Sequence, residues 1–256
     1  MKVDVSIIIV NYNTKELLHD CLDSIYKQTM DISFEVIISD NGSLDGSVEM
    51  LRNDFPNVIL LENKANLGFG KANNRGAEIA KGKYLFLLNS DTILLNNAVK
   101  EFYDYAEKQE KLLLGSFLYD IDQNVTVSYG KFATPLIILK RIIYVTFPFI
   151  LNLRLKVKPL IIMPEEKDVD FICGADLFLE KKVFQELKGF DENIFMYCED
   201  EDLCLRASKK DYKRRVITTP KIIHLEGKSS KISKVKRNIM LKSYKYYFLK
   251  NLIKRS

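Results

Sequence analysis

Residues 5–28, VSIIIVNYNTKELLHDCLDSIYKQ, decide the fold. Val5 to Val10 is an apolar run of the kind a strand needs when helices cover both its faces, and Glu16 to Gln28 then places Leu17, Leu18, Cys21, Leu22 and Ile25 at helical spacing. A strand is followed by a helix, with Asn11-Tyr12-Asn13 in the turn between them.

The alternation repeats outward from this unit. Strands are predicted over Glu35–Ser39, Val58–Leu61, Tyr84–Leu88 and Leu112–Phe117, with helices over Asp45–Asn53, Gly70–Lys81 and Asn96–Lys108 between them. Repeated strand and helix units predict an α/β fold with a mostly parallel sheet flanked by helices. Between about 120 and 168 the pattern fails, and the run Leu136–Leu160 mixes apolar residues with Lys140, Arg141, Arg154 and Pro148. This stretch reads as an insertion, either packed as a lid or contact surface or lying in a membrane interface. Its longest uncharged piece, Ile142–Leu153, is well short of the ~20 residues that cross a bilayer.

Composition sets outer bounds. With 256 residues, 47% of them hydrophobic, the chain has enough apolar surface for one catalytic domain, which rules out bulk disorder. Cys21, Cys173, Cys198 and Cys204 form no CxxC pair and suit buried, reduced thiols better than a disulfide frame or a zinc site. Asp4 interrupts any signal-peptide pattern, so a cytoplasmic location is expected. The net charge of +5 is uneven: no acidic residue follows Glu226, while ten Lys and Arg residues do. Residues 1–227 are therefore read as the catalytic domain and 228–256 as a basic, aromatic, helical segment suited to an anionic membrane surface, as a peripheral contact.

In open α/β sheets, ligands lie beyond the carboxyl ends of the strands. Those positions are Asn11-Tyr12-Asn13, Asp40-Asn41-Gly42-Ser43, Asn63 to Gly70 and Asn89-Ser90-Asp91. Such residues also build ordinary turns, but four sets converging on one edge favour a polar ligand site. Asp91, at a strand end, could bind a divalent cation that also grips a diphosphate, or could simply start a turn. His224, after the strand-like stretch Arg215–Ile223, is a second candidate metal ligand, although a lone histidine there is more often structural. Glu199-Asp200-Glu201-Asp202 precedes a helical pattern at Leu203–Lys210. One carboxylate suffices to cap a helix; four repel one another, which raises the pKa of at least one and makes it a better proton acceptor.

These motifs, VSIIIVNYN (5–13), DNGSLDGS (40–47), NLGFGKANNRG (66–76), LLNSDT (87–92), CGADLFLEKKVFQELKGFDENIFMYCEDEDLCLR (173–206) and HLEGKSS (224–230), in this order resemble the inverting glycosyltransferases of family 2, especially the bacterial rhamnosyltransferase-like members. The resemblance covers most of the chain and implies a GT-A fold. It implies that Tyr12 and Asp40, with Asn11, Asn13 and Ser90, serve the nucleotide; that Asn66, Gly68 and Asn73 lie near the ribose and diphosphate; and that Asp91 and His224 bind Mg2+ or Mn2+. It further implies that Asp200 is the catalytic base with Glu199 beside it, and that Gly174, Ala175 and Asp202 border the donor and acceptor pocket. One position departs: the family's metal motif is often Asp-x-Asp, and here its first residue is Asn89. The implied reaction moves a sugar, dTDP-rhamnose first and UDP- or GDP-sugars next, to a hydroxyl of a saccharide or lipid-linked acceptor in cell-surface polysaccharide synthesis. A nucleotidyltransferase would need a glycine-rich loop that Asn11-Tyr12-Asn13-Thr14 lacks. A non-catalytic membrane or nucleic-acid binder is the other alternative, but the acidic centre at Asp40, Asp91 and Glu199 opposes a nucleic-acid groove, so no nucleic-acid partner is expected.

Overall fold

The computed structural model describes residues 2–126, 128–146, 164–225 and 234–253. The chain opens with β1 (Val5–Asn11), α1 (Lys15–Gln28), β2 (Phe34–Asp40), α2 (Ser47–Asp54), β3 (Ile59–Glu62), α3 (Phe69–Ile79) and β4 (Tyr84–Asn89). There follow β5 (Thr92–Leu94), α4 (Ala98–Ala106), β6 (Leu112–Tyr119), β7 (Val125–Thr126), β8 (Tyr129–Gly130) and α5 (Pro135–Thr146). The last part holds β9 (Lys167–Asp168), β10 (Phe171–Ile172), β11 (Asp176–Glu180), α6 (Lys181–Glu186), α7 (Glu199–Ser208), β12 (Lys213–His224) and α8 (Lys234–Phe248), which Leu249–Ile253 prolongs with π geometry.

The main sheet runs β3-β2-β1-β4-β11-β6-β12-β5. Its first four strands are parallel, as the sequence predicts, with Val5 beside Phe34 on one neighbour and Tyr84 on the other. β11 then enters antiparallel between β4 and β6, and β12 runs parallel to β6. Both faces are covered, which explains the apolar runs: Val5, Ile7 and Ile9 join Phe86 and Phe102 in one core layer, while Ile8 joins Leu85, Leu87 and Phe184 in the other. α3 lies unusually close to β1, because a Cβ at Gly76 would come within 2.6 Å of Ile8 Cγ2.

Two expectations are revised. α7 starts at Glu199 rather than after Asp202, so all four carboxylates occupy its first turn. The chain enters that turn through Tyr197 and Cys198, both left-handed (φ 72° and 71°), a strained entrance that no apolar periodicity signals. The C-terminal segment also packs inward over the residues described: Tyr247 is 1% exposed, Ser243 donates to the Met196 carbonyl (2.7 Å), and α8 lies against α5. Residues 147–163 and 226–233, which take in much of the insertion and HLEGKSS after Leu225, lie outside the described residues. None of the four cysteines forms a disulfide; burial pushes the Cys21 and Cys204 thiols up to about 12, which disfavours the thiolate. Among the described residues no helix is long and apolar enough to cross a membrane.

Candidate active site

The polar turns meet at one edge of the sheet. Asp40 is buried with both oxygens engaged: Asn11 Nδ2 (2.8 Å) and Ser43 Oγ (2.6 Å) donate to Oδ1, and the Gly42 and Ser43 amides (3.0 and 2.9 Å) donate to Oδ2. Asn11 is itself fully buried and accepts from Thr14 Oγ1, which in turn accepts from the Ser90 hydroxyl at 2.9 Å. Asn13, left-handed at φ 54°, receives the Leu44 amide. These residues fasten the β1 and β2 turns to each other, and Tyr12, 47% exposed, stands out into solvent beside them. Asn66 Oδ1 accepts the Gly68 amide (3.0 Å), and Asn73 is buried with Nδ2 on the Phe69 carbonyl (3.1 Å). Gly68 is required where it stands: its φ is +83°, and a Cβ would lie 2.2 Å from the Phe195 carbonyl oxygen. Sequence reading missed Arg75, whose guanidinium donates to Asn63 Oδ1 (2.6 Å) and ties α3 to the β3 turn.

The register of the short β5 explains how Asp91 and His224 meet. His224 pairs with Thr92, and the Leu225 amide donates to the Asp91 carbonyl (2.9 Å). His224 Nε2 thus lies 3.2 Å from Asp91 Oδ1 and 3.3 Å from Asn89 Nδ2. One carboxylate and one imidazole, with Asn89 beside them, suit a cation that takes its remaining ligands from a bound diphosphate and water, which is how small hard cations are commonly held. Among the described residues no cluster of three or more His, Cys, Asp or Glu able to hold a metal is found.

Asn89, though neither Asp91 nor His224, lines a cavity of about 460 Å³ that Glu199, Asp200 and Glu201 also line. Backbone joins these residues: the Asn89 amide donates to the Ala175 carbonyl (3.0 Å), and the Gly174 amide donates to Asp200 Oδ2 (3.1 Å). The Glu201 amide donates to Asp200 Oδ1 at 2.7 Å. Burial, opposed by these amide bonds, holds the Asp200 carboxyl above the usual carboxylate range. Glu199 is pushed much higher by burial and by the neighbouring Asp200 charge, and its Oε2 has no polar partner. Burial thus favours the neutral form at both carboxyls, with the Asp200 charge adding to the effect at Glu199. A smaller cavity of about 290 Å³, between α3 and α6, contains none of these residues.

The other two carboxylates of α7 face inward. Glu201 Oε1 accepts the Ala133 amide (2.6 Å) and the Tyr247 hydroxyl (3.2 Å), and Oε2 accepts Arg141 (3.0 Å). Asp202, fully buried, accepts Arg206 (2.8 Å), Lys250 (2.7 Å) and Asn251 (3.0 Å), and it is not among the residues that line the cavity. The cavity wall instead includes Arg141, Tyr197 and Tyr244, which sequence reading did not place there. No spacing signal could have done so for Arg141 and Tyr244, which arrive from the insertion and the C-terminal helix, while Tyr197 stands in the left-handed entrance to α7.

Asp176, beside Leu88 on β4, is completely buried; Ser116 supplies an amide (2.6 Å) and a hydroxyl (2.7 Å) to Oδ2, while Oδ1 is unpartnered. Burial raises its pKa to about 7, against the pull of Ser116 and His224. A folded-state pKa above the unfolded one gives stability that is complete in acid and lost as pH rises. Between about pH 4 and 7 unfolding should therefore become easier with rising pH, and Asp176→Asn should flatten that slope in denaturant titrations. An unchanged slope would contradict this account.

Residues 6–184 match Glycosyl transferase family 2, and the chain belongs to that family. It is 34% identical over 117 residues to the poly(ribitol-phosphate) beta-glucosyltransferase of Bacillus spizizenii, a match covering 43% of this chain and only 18% of that protein. To the N-acetylglucosaminyl-diphospho-decaprenol L-rhamnosyltransferase of Mycobacterium tuberculosis it is 27% identical over 216 residues, covering 76% of this chain and 67% of the other. An uncharacterised glycosyltransferase of Methanocaldococcus jannaschii aligns over 96% of this chain at 26% identity, across 78% of its own length. The fold matches a Pyrobaculum calidifontis mannosyltransferase solved with GDP-Man and Mn2+, at a TM-score of 0.63 and 15% identity over 90% of this chain and 59% of that one. The GT-A architecture expected from the motifs is thus the fold observed.

Proposed function

We propose that the chain transfers a sugar from a nucleotide diphosphate to an acceptor hydroxyl with inversion, and that Asp200 is the base. The reading rests on one observation: Asp200 and Asn89 line a single cavity and are linked through the Gly174-Ala175 backbone, and Asn89 in turn lies 3.3 Å from His224, the neighbour of Asp91. In the reaction the acceptor oxygen forms a bond to the anomeric carbon, the bond from that carbon to the diphosphate oxygen breaks, and the acceptor proton passes to the Asp200 carboxylate. A single in-line displacement inverts the configuration. Asp91 and His224 would hold a divalent cation, Mn2+ or Mg2+, which when bound neutralises charge on the diphosphate. Tyr12, exposed at this edge, would stack on the base, while Asp40 and Asn11 bond to each other within the turns.

dTDP-rhamnose is the leading donor because a rhamnosyltransferase is among the relatives that align over most of the chain; UDP- and GDP-sugars come next. A lipid-linked saccharide is the leading acceptor. The test is a panel of nucleotide sugars scored by thermal stabilisation with and without Mn2+ or Mg2+. A ligand at about a hundred times its Kd adds about 2.7 kcal/mol to stability, a shift well within reach of a melting curve. One donor should stand out, with a larger shift when the cation is present; no shift with any donor would reject the transferase reading.

A further inference from the structure

α5 is built the wrong way round for a helix on a water-facing surface. Its inner arc packs normally: Ile138 is fully buried, Ile142 joins the cluster around Tyr247 and Leu205, and Arg141 reaches Glu201 and the catalytic cavity. At 100° per residue the opposite arc carries Leu136, Leu139, Lys140 and Ile143, with Ile137 at its margin. Leu136 is 60% exposed, Leu139 51% and Ile137 40%. A soluble surface helix would place polar residues there.

Charge tells what covers this arc. Neither 131–146 nor 234–253 contains an acidic residue. Lys131 and Lys140 are exposed beside the apolar arc, and the exposed side of the adjoining α8 carries Lys234, Lys242 and Lys245 together with Val235 and Leu249. Apolar side chains bordered by unopposed lysines match the interface of an anionic bilayer, where acyl chains take the former and phosphate headgroups the latter.

We infer that the outer arc of α5 seats the protein on an anionic lipid surface, while the inner arc of the same helix borders the acceptor side of the catalytic cavity. The cavity then lies about one helix diameter, ~10 Å, from the headgroups. That is where a lipid-linked saccharide presents its hydroxyl, a consequence that rests on the transferase reading; the docking itself does not. The C-terminal tyrosines, which sequence reading assigned to the membrane, are instead directed inward on the residues described.

Sedimentation of the full chain with phosphatidylglycerol-containing vesicles, against phosphatidylcholine alone, tests the docking. The chain should pellet with the anionic vesicles and be released by salt, and Leu136→Gln/Leu139→Gln should weaken binding about tenfold or more, with Lys140→Glu weakening it on anionic vesicles. Both variants alter exposed positions, so melting temperature and the thermal shift with nucleotide sugar should stay as in the parent. Parent-like pelleting of the double variant, or no pelleting of the parent, overturns the proposal. So does a parent that is dimeric, fails to bind vesicles and becomes monomeric on double substitution, since the arc would then join two copies. Loss of the nucleotide-sugar shift in every variant and the parent would reject the transferase reading and leave the vesicle result standing.

Discussion

Asp200→Asn should reduce turnover by about 10²–10⁴-fold, the usual worth of a positioned general base, and leave nucleotide-sugar affinity nearly unchanged. The amide cannot take the acceptor proton, yet it occupies the same volume beside Gly174 and Glu201. It can accept only one of the two amide hydrogens now directed at the carboxylate, so a stability loss of about 1 kcal/mol should accompany the change. Melting curves separate that loss from the catalytic one. Because Asp200 works ionised and its pKa is raised by burial, activity should fall as pH drops through a value above the ordinary carboxylate range. The residual activity of the variant should lack that acid limb. A variant that turns over like its parent removes Asp200 from the mechanism.

Asp91→Ala should act on binding and rate together. If one cation both holds the donor and neutralises the departing diphosphate, its loss weakens donor binding and lowers kcat, with kcat/KM down by about 10²–10³-fold. Calorimetric titration of nucleotide sugar should show a cation-dependent gain in affinity that the variant lacks. His224 is only 8% exposed in its side chain, so its replacement also disturbs packing, and Asp91 is the cleaner probe. Full activity in excess chelator would exclude a metal role at this pair. Asn89 bears on the same experiment: with an amide at a position where the family often carries a carboxylate, one fewer anion faces the cation, so affinity for free Mn2+ should be modest and should rise once a diphosphate is present.

The legibility of this fold follows its physics. β1, β2 and β4 are buried on both faces, so their apolar runs were readable, and the helices between them announced themselves by spacing. Strand direction leaves no such mark, and the antiparallel entry of β11 between β4 and β6 was not foreseen. The start of α7 was misread because its first turn holds four acids and follows two left-handed residues. Asp91 and the acidic run 199–202 were legible as candidates because a residue at a strand end and a crowd of carboxylates before a helical pattern are local facts, while the choice of Asp200 within the run comes from the family resemblance. Arg141 and Tyr244 were not, since periodicity identifies the face a helix buries and says nothing of what it is buried against. Asp176 lies on β11, a strand the sequence analysis does not predict, and the arrival of β6 on its flank makes it a dry carboxylate.

The division of labour on α7 has a practical meaning for how such enzymes diversify. Glu201 and Asp202 are neutralised by Arg141 from α5 and Lys250 from the C-terminal segment, so the turn that carries the base is stapled to both. Stripping away a buried partner of this sort costs about 3–5 kcal/mol, because it strands a charge in the interior. The C-terminal helix is therefore no interchangeable cassette: exchanging it wholesale between relatives would disturb the turn that holds Asp200.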